Sequence, residues 1–152
     1  MKFNNRTVKR VVVVLIVAFV VIQFIPVDRT NPPVESEMPA PAEVQSVLKR
    51  ACYDCHSNET VWPWYSKVAP VSWLIADDVH DGRAELNMST WDRYTVKRQL
   101  KKFKEIRQEV DEGEMPPWQY NPLHPAARLS AADKELLHNW SLSMTGQDST
   151  GR

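Results

Sequence analysis

Cysteine and glycine are scarce in this chain of 152 residues, which contains two cysteines, four glycines and 11 prolines. A single pair of cysteines excludes a framework of several disulfides. Few glycines beside many prolines indicate helices that are separated by stiff loops. The composition therefore predicts an all-α domain.

The chain also lacks a net positive charge, because 19 basic residues balance 19 acidic ones. Four of the basic residues, Lys2, Arg6, Lys9 and Arg10, precede an apolar run. Removing these four from the 19 leaves 15 basic against 19 acidic residues, a net charge of −4 for the remainder. An acidic domain does not attract phosphate backbones. Nucleic acid is therefore not an expected partner.

The two cysteines lie in the run Cys52-Tyr53-Asp54-Cys55-His56, where a histidine directly follows the second thiol. This spacing is the attachment signature of a c-type haem. Each thiol can add to one of two vinyl groups on the same edge of a porphyrin, and the adjacent imidazole can bind the iron. The motif predicts one covalent haem c per chain, attached through Cys52 and Cys55, with His56 as the proximal ligand.

Two other interpretations of the cysteine pair compete with haem attachment. The thiols could form a structural disulfide, or they could be a thioredoxin-like redox pair that a histidine follows by chance. A thiol-disulfide oxidoreductase would carry this motif directly after a strand, and no strand pattern precedes Cys52. The haem interpretation is therefore favoured.

The apolar run over residues 11–27 predicts an N-terminal signal anchor over residues 1–27. Its 17 residues are broken only by Gln23 and Pro26, and as a helix they would extend about 25 Å. No small-residue cleavage site follows Ile25 directly, which favours an uncleaved anchor over a cleaved signal peptide. Basic residues ahead of the run stay in the cytoplasm. The domain is therefore expected on the periplasmic side of a bacterial cytoplasmic membrane, where c-type haem is attached.

The remainder divides into a tether, a domain and a tail. Residues 28–41 contain four prolines and two glutamates, which predict an extended, mobile tether. The haem-binding domain is expected over residues 42–145 and a polar tail over 146–152. Gly82 is expected to end the second helix of the domain. Apolar stripes and capping residues predict domain helices over about 42–51, 70–80 and 90–111 and from 131 onward, the last packing across the first.

A loop rich in aromatic residues follows the haem motif. Trp62, Trp64 and Tyr65 can stack on a porphyrin or exclude water from it. The alternative is that these rings fill an ordinary core. Trp118, further along the chain, is also expected to contact the haem.

The run Gly113-Glu114-Met115-Pro116-Pro117-Trp118 predicts the second iron ligand. Two prolines after the methionine restrict the loop to few conformations, and Met115 follows His56 by 59 residues. Methionine and histidine ligation raises the reduction potential relative to two imidazoles. The predicted metal ligands are therefore His56 and Met115, with His124 as the second candidate for the distal position.

The third predicted domain helix has a basic face. The simpler interpretation is a solvated amphipathic helix. The more specific interpretation is a docking surface for an acidic redox partner. Such a partner could also dock near the haem edge. The residues of this face are Lys97, Arg98, Lys101, Lys102, Lys104 and Arg107.

The stretch from Cys52 to Trp140 resembles the haem-binding domain family of bacterial cytochrome-c-like proteins. The matching runs are CYDCHSNET, WPWYSKVAPVSWLIADDVHDGRAELN, EGEMPPWQY and LHPAARLSAADKELLHNW. The resemblance implies a small cytochrome c-like helical domain that holds one c-type haem.

Together these features predict a membrane-anchored monohaem cytochrome that transfers single electrons on the periplasmic side, a carrier in preference to an enzyme. The alternative is a haem enzyme, or a gas or redox sensor, whose sixth iron site is open or displaceable. A distal ligand that is held on the iron favours the carrier, and one that leaves it favours the alternative.

Overall fold

Helices make up all the regular secondary structure within residues 5–146, the part of the chain that the computed structural model describes. The all-α fold class is therefore confirmed. Residues 1–4 and 147–152, which include most of the predicted tail, lie outside the described residues. The α-helices are α1 (Asn5–Ile22), α2 (Ala42–Ala51), α3 (Tyr53–His56), α4 (Val71–Glu85), α5 (Val96–Glu112) and α6 (Ala131–Met144), with 3₁₀ turns at Trp64–Lys67, Trp91–Arg93 and Pro125–Ala127.

The described residues form two compact units, residues 5–30 with 62–78 and residues 31–61 with 79–146. In the first unit, the Gln23 side chain pairs with the backbone of Ala69. The Ala69 N–H donates to Gln23 Oε1 at 2.9 Å, and Gln23 Nε2 donates to the Ala69 carbonyl oxygen at 3.2 Å. The residue that interrupts the apolar run thus lies where α1 ends.

None of the helices within residues 5–146 is both long enough and apolar enough to cross a membrane. The apolar part of α1 extends only from Val11 to Ile22, about 18 Å at 1.5 Å per residue. The hydrocarbon core of a bilayer is about 30 Å thick. The sequence predicts a membrane-spanning helix within residues 1–27. The structure differs from this prediction because α1 ends at Ile22 and not near Val27.

The core of the second unit lies among α2, α5 and α6. Phe103 of α5 lies between Trp91 and Trp140, with ring centroids 5.1 Å and 5.2 Å away. Such tilted and edge-to-face ring pairs stabilise a core beyond the area that they bury. The apolar stripe predicted for the first domain helix is confirmed, since all its members are buried: Val44, Val47, Leu48 and Ala51.

The last helix packs against the first domain helix, as predicted. Arg50 of α2 lies 2.6 Å from the carboxylate of Asp133 on α6, and it also donates to the Ala126 carbonyl oxygen at 2.7 Å. The predicted cap of α6 is confirmed, because Ser130 and Asp133 form a capping box. Hydrogen bonds from Arg50 and from Ser130 lower the pKa of Asp133 to about 2.

The segment predicted as a mobile tether is partly docked on the second unit. Met38 is 2% exposed and belongs to the core, and its N–H donates to the Met88 carbonyl oxygen at 3.0 Å. Ser36 forms an isolated parallel bridge with Thr90. Proline and charge dominate the composition of this segment, and one buried methionine with a few backbone bonds holds it in place.

Two predicted helix ends are wrong. Helix α4 does not end at Gly82 but continues to Glu85. The glycine is needed instead because the helix packs against the backbone of Cys55 at this position. Helix α5 begins after Thr95, whose hydroxyl accepts a hydrogen bond from the Arg98 N–H. The residues from Ser89 to Asp92 resemble a capping box but lead into the 3₁₀ turn Trp91–Arg93.

Candidate functional site

The motif Cys52 to His56 folds as a tight turn at the end of α2. Cys52 ends that helix, and its carbonyl oxygen accepts hydrogen bonds from the N–H groups of Cys55 at 3.2 Å and His56 at 2.9 Å. Tyr53 is buried in the core, whereas both cysteines and His56 are partly exposed. Cys52 lies immediately before α3 and Cys55 within it, and a separation of three positions is the spacing that brings side chains together on one side of a helical turn.

His56 is held by its Nδ1 atom against the end of α4. This nitrogen lies 2.8 Å from the Gly82 carbonyl oxygen and 3.1 Å from the Leu86 carbonyl oxygen. Because carbonyl oxygens only accept hydrogen bonds, Nδ1 carries the proton. The imidazole therefore presents Nε2 as the nitrogen that can bind a metal, with the ring oriented by the backbone.

Gly82 allows α4 to approach the motif this closely. A Cβ atom at this position would lie 2.6 Å from the Cys55 carbonyl oxygen and 3.0 Å from Cys55 Cβ. Both distances are shorter than van der Waals contact, and the nearest atom belongs to the backbone. A side chain on residue 82 would therefore push α4 away from the motif and from His56.

Asp54, between the two cysteines, is hydrogen-bonded to two loops that follow it in the sequence. Its carboxylate accepts hydrogen bonds from the Val61 N–H at 2.9 Å and from the Tyr120 hydroxyl at 2.5 Å. The Tyr120 ring stacks on His124 at a centroid distance of 3.7 Å, and His124 Nδ1 lies 3.1 Å from the Tyr120 carbonyl oxygen. The haem motif is thus connected to the loop that follows Met115.

Met115 lies on the loop after α5, and the start of this loop is fixed to the helix. Gly113 ends α5 with φ at +80°, in the left-handed region that glycine adopts readily. The Glu114 and Met115 N–H groups both donate to the Glu109 carbonyl oxygen, at 3.0 Å and 3.2 Å. Met115 is partly buried, whereas Trp118 is 79% exposed. Ligation by Met115 stays a prediction.

A comparison with protein-family models matches residues 17–143 to the model described as a haem-binding domain. The match includes every element from the second half of α1 to α6. The chain belongs to the haem-binding domain family. The family predicted from the sequence is therefore confirmed. Searches of the curated proteins and of the solved structures find no match.

The donor set of this haem-binding domain fits a haem. His56 presents one nitrogen to a metal, and Cys52 and Cys55 are not joined in a disulfide. Burial, followed by the neighbouring Cys55 thiol, raises the pKa of Cys52 to about 12. A thiol-disulfide oxidoreductase needs a thiolate at neutral pH and so a lowered pKa. The protonated Cys52 thiol disfavours that alternative.

The aromatic residues that the sequence predicts to contact a haem lie in different units of the haem-binding domain. Trp62, Trp64 and Tyr65 belong to the first unit, whereas the motif and Trp118 belong to the second. Trp64 is 77% exposed and packs edge-to-face on Tyr65 at 5.7 Å. Contact of these rings with a haem stays a prediction.

Lys102, which the sequence places on the basic face of α5, is instead buried. Its side chain lies in the second unit with its ammonium group 2.7 Å from Glu105 Oε2. The prediction of a continuous solvated basic face is therefore wrong at this position, because Lys102 lies next to Phe103 on the buried side of the helix.

Sequence reasoning missed the residues that hold the motif in place. Arg83 is one of them: its guanidinium donates to the Ser57 carbonyl oxygen at 2.8 Å and to Thr60 Oγ1 at 2.9 Å. A glycine inside an apolar-periodic segment could have indicated the close approach at Gly82. For Asp54, Tyr120 and Arg83 the pattern of residue types contains no such signal, because their partners are distant in the sequence.

Proposed function

We propose that this protein is a monohaem c-type cytochrome that transfers single electrons on the periplasmic side of a bacterial membrane. The main support is the orientation of His56, whose Nδ1–H bonds the carbonyl oxygens of Gly82 and Leu86 and leaves Nε2 for iron. A bound haem would supply a reversible one-electron iron couple. The haem-binding family and the paired thiols Cys52 and Cys55 support the same function.

The roles of the chain's own residues follow from this arrangement. Cys52 and Cys55 would attach the porphyrin, and His56 and Met115 would hold the iron. Gly82 and Leu86 fix the tautomer and orientation of the imidazole through their carbonyl oxygens. No residue has to transfer a proton during electron transfer.

The decisive experiment uses protein that is produced together with a c-type haem attachment system. We expect the haem to stay on the chain after denaturation, with low-spin spectra in both oxidation states and no rapid binding of carbon monoxide. Cys52→Ala and Cys55→Ala should each leave a single thioether bond, which mass spectrometry of haem peptides detects. A colourless protein with two titratable thiols would refute the proposal.

A second candidate function is a haem sensor or enzyme with a displaceable sixth ligand. The partial exposure of Met115, beside the exposed Trp118, favours it. The distinguishing observation is carbon monoxide binding by the unmodified protein. Rapid binding by the ferrous form identifies the sensor or enzyme, and slow or absent binding identifies the electron carrier.

The proposed location includes attachment of α1 to the membrane. None of the residues of α1 is buried, and its valine and leucine side chains between Val11 and Val21 are exposed. Basic residues precede this apolar surface, as in segments whose N-terminus stays in the cytoplasm. Replacing Val13, Leu15 and Val17 by Asn should therefore reduce the share of the protein that is found in the membrane fraction, whereas replacing Val96, Leu100 and Leu123 by Asn should not.

The proposed partner is an acidic redox protein that docks on the exposed part of the basic face. Lys102 is buried and is not available for such contacts, and the remaining residues of the face are Lys97, Arg98, Lys101, Lys104 and Arg107. Electrostatic steering of this kind falls steeply with ionic strength. Reduction rates with a candidate partner should therefore fall as salt rises, and the Lys97→Glu variant should show a weaker dependence.

A further inference from the structure

Lys102 is a lysine that the second unit buries. The residue is 6% exposed, although it lies on α5 among lysines and arginines that face solvent. A lysine is almost never buried to this degree without a charged partner. Its nearest partner is Glu105 on the same helix, with Oε2 at 2.7 Å, and the Glu85 carboxylate lies 3.8 Å away.

The position of Lys102 connects it to the haem motif through α4. Glu85 is the last residue of α4, and Leu86 directly follows it. The carbonyl oxygens of Gly82 and Leu86 are the two acceptors of the His56 Nδ1–H. The Lys102 ammonium group therefore lies at the same C-terminal helix end that orients the proximal histidine.

Charges of both signs lie at this helix end, where the Lys102 ammonium group is 3.8 Å from the Glu85 carboxylate. A helix C-terminus carries the negative end of the helix dipole. Two carbonyl oxygens that accept hydrogen bonds from the imidazole N–H also increase electron density on the ring, which would stabilise oxidised iron. Lys102 is the buried cation that opposes these effects.

We propose that Lys102 is a positioning residue for electron transfer that raises the reduction potential of a haem bound at His56. The inference rests on the proposed cytochrome function. Reduction adds one electron from the redox partner to the iron and lowers the charge of the centre by one. A nearby buried cation stabilises this reduced form relative to the oxidised form. Glu105 limits the effect by neutralising part of the lysine charge.

A purely structural role is the competing explanation, because Lys102 also joins α5 to the end of α4. The chain offers a matched control in Lys101, whose ammonium group binds the other oxygen of Glu105 at 2.8 Å but whose side chain is 71% exposed. Replacing either lysine by methionine removes one positive charge and one contact to the same carboxylate. The two variants differ in burial and in closeness to the end of α4.

The experiment measures reduction potentials by spectroelectrochemical titration of the haem-loaded protein and of four variants. We expect Lys102→Met to lower the potential and Glu105→Gln to raise it. Lys102→Arg should keep the wild-type value because it keeps the charge. Lys101→Met should shift the potential by much less than Lys102→Met, since water screens an exposed charge.

Equal potentials in wild type, Lys102→Met and Glu105→Gln would overturn the inference while leaving the cytochrome function intact. So would equal shifts in Lys101→Met and Lys102→Met. If Lys102→Met does not fold, the rise expected for Glu105→Gln and the unchanged value for Lys102→Arg decide the question. A wild-type protein without covalent haem would overturn the proposed function and this inference together.

Discussion

The Nδ1 atom of His56 lies 2.8 Å from the carbonyl oxygen of Gly82, across 26 positions of the sequence. The same glycine has no room for a Cβ atom, because the backbone of Cys55 lies against it. Gly82 thus has two roles. Its carbonyl oxygen accepts a hydrogen bond from His56, and its lack of a side chain allows α4 to approach the motif. The orientation of the imidazole depends on this approach.

Gly82→Ala should therefore weaken haem incorporation and lower stability. A Cβ atom 2.6 Å from the Cys55 carbonyl oxygen requires the helix or the motif to move, which we expect to cost about 1–3 kcal/mol in the free energy of unfolding. Urea denaturation and the ratio of haem absorbance to protein measure the two effects.

Gly146→Ala is the matched control for this substitution. Gly146 has φ at +66°, and no atom of the described residues lies within 4 Å of an added Cβ atom, so alanine there meets backbone strain of about 1 kcal/mol without a clash among these residues. This variant should keep its full haem content. Equal haem loss in both variants would contradict the role of the close approach.

Tyr120→Phe should loosen the connection between the Met115 loop and the haem motif. It removes the hydrogen bond to the Asp54 carboxylate, and bonds to charged groups contribute about 1.5–3 kcal/mol. We expect lower stability and faster carbon monoxide binding by the ferrous protein. Tyr94→Phe, which removes a hydroxyl bonded to the Asn87 N–H at 2.8 Å, should change stability but not the rate of carbon monoxide binding.

Met115→Ala should convert low-spin iron to high-spin iron and open the distal side to carbon monoxide. The variant removes the thioether that we propose as the ligand, and its loop remains fixed to α5 through backbone bonds to Glu109. Absorption spectra of both oxidation states detect the change. Met144→Ala, at the end of α6, should leave the spectra unaltered; unaltered spectra for Met115→Ala would instead favour His124.

Acid should remove the stabilisation that Asp133 gives to the contact between α2 and α6. Hydrogen bonds from Arg50 and Ser130 lower the pKa of Asp133 from 3.8 to about 2. The folded state therefore gains stability above about pH 4 and loses it as the pH falls towards 2. Because part of the pair is exposed, we expect about 0.5–1 kcal/mol.

Asp133→Asn tests this pH dependence, because asparagine does not titrate. The difference in unfolding free energy between wild type and variant should be largest near pH 5 and should shrink as the pH approaches 2. A difference that stays constant over this range would show that proton uptake by Asp133 does not contribute.

Much of the fold could be predicted from the sequence because local patterns determine it. The buried stripe of α2, including Val44 and Leu48, and the Ser130 cap of α6 depend on spacing within one helix. The attachment motif also lies within five consecutive residues. These features need no knowledge of which segments meet in the folded chain.

Features that depend on distant contacts could not be predicted. Gly82 resembles a helix stop, but its role is to make room for Cys55. Met38 lies in a proline-rich segment, and only the fold shows that it fills the core beside Met88. Lys102 directly follows Lys101 in a basic run, but successive residues of a helix lie on different faces, and Lys102 is on the buried face of α5. Charge patterns alone do not distinguish these two lysines.

The two residues between the cysteines, Tyr53 and Asp54, do more than set the spacing of the thiols, because both hold the motif in the fold. Tyr53 is buried in the core, and the Asp54 carboxylate accepts hydrogen bonds from Val61 and Tyr120 in two later loops. The polypeptide by itself therefore defines the shape of the attachment turn. In the function that we propose, a porphyrin would meet thiols and an imidazole that the chain has already arranged, and its attachment would require little additional ordering of the chain.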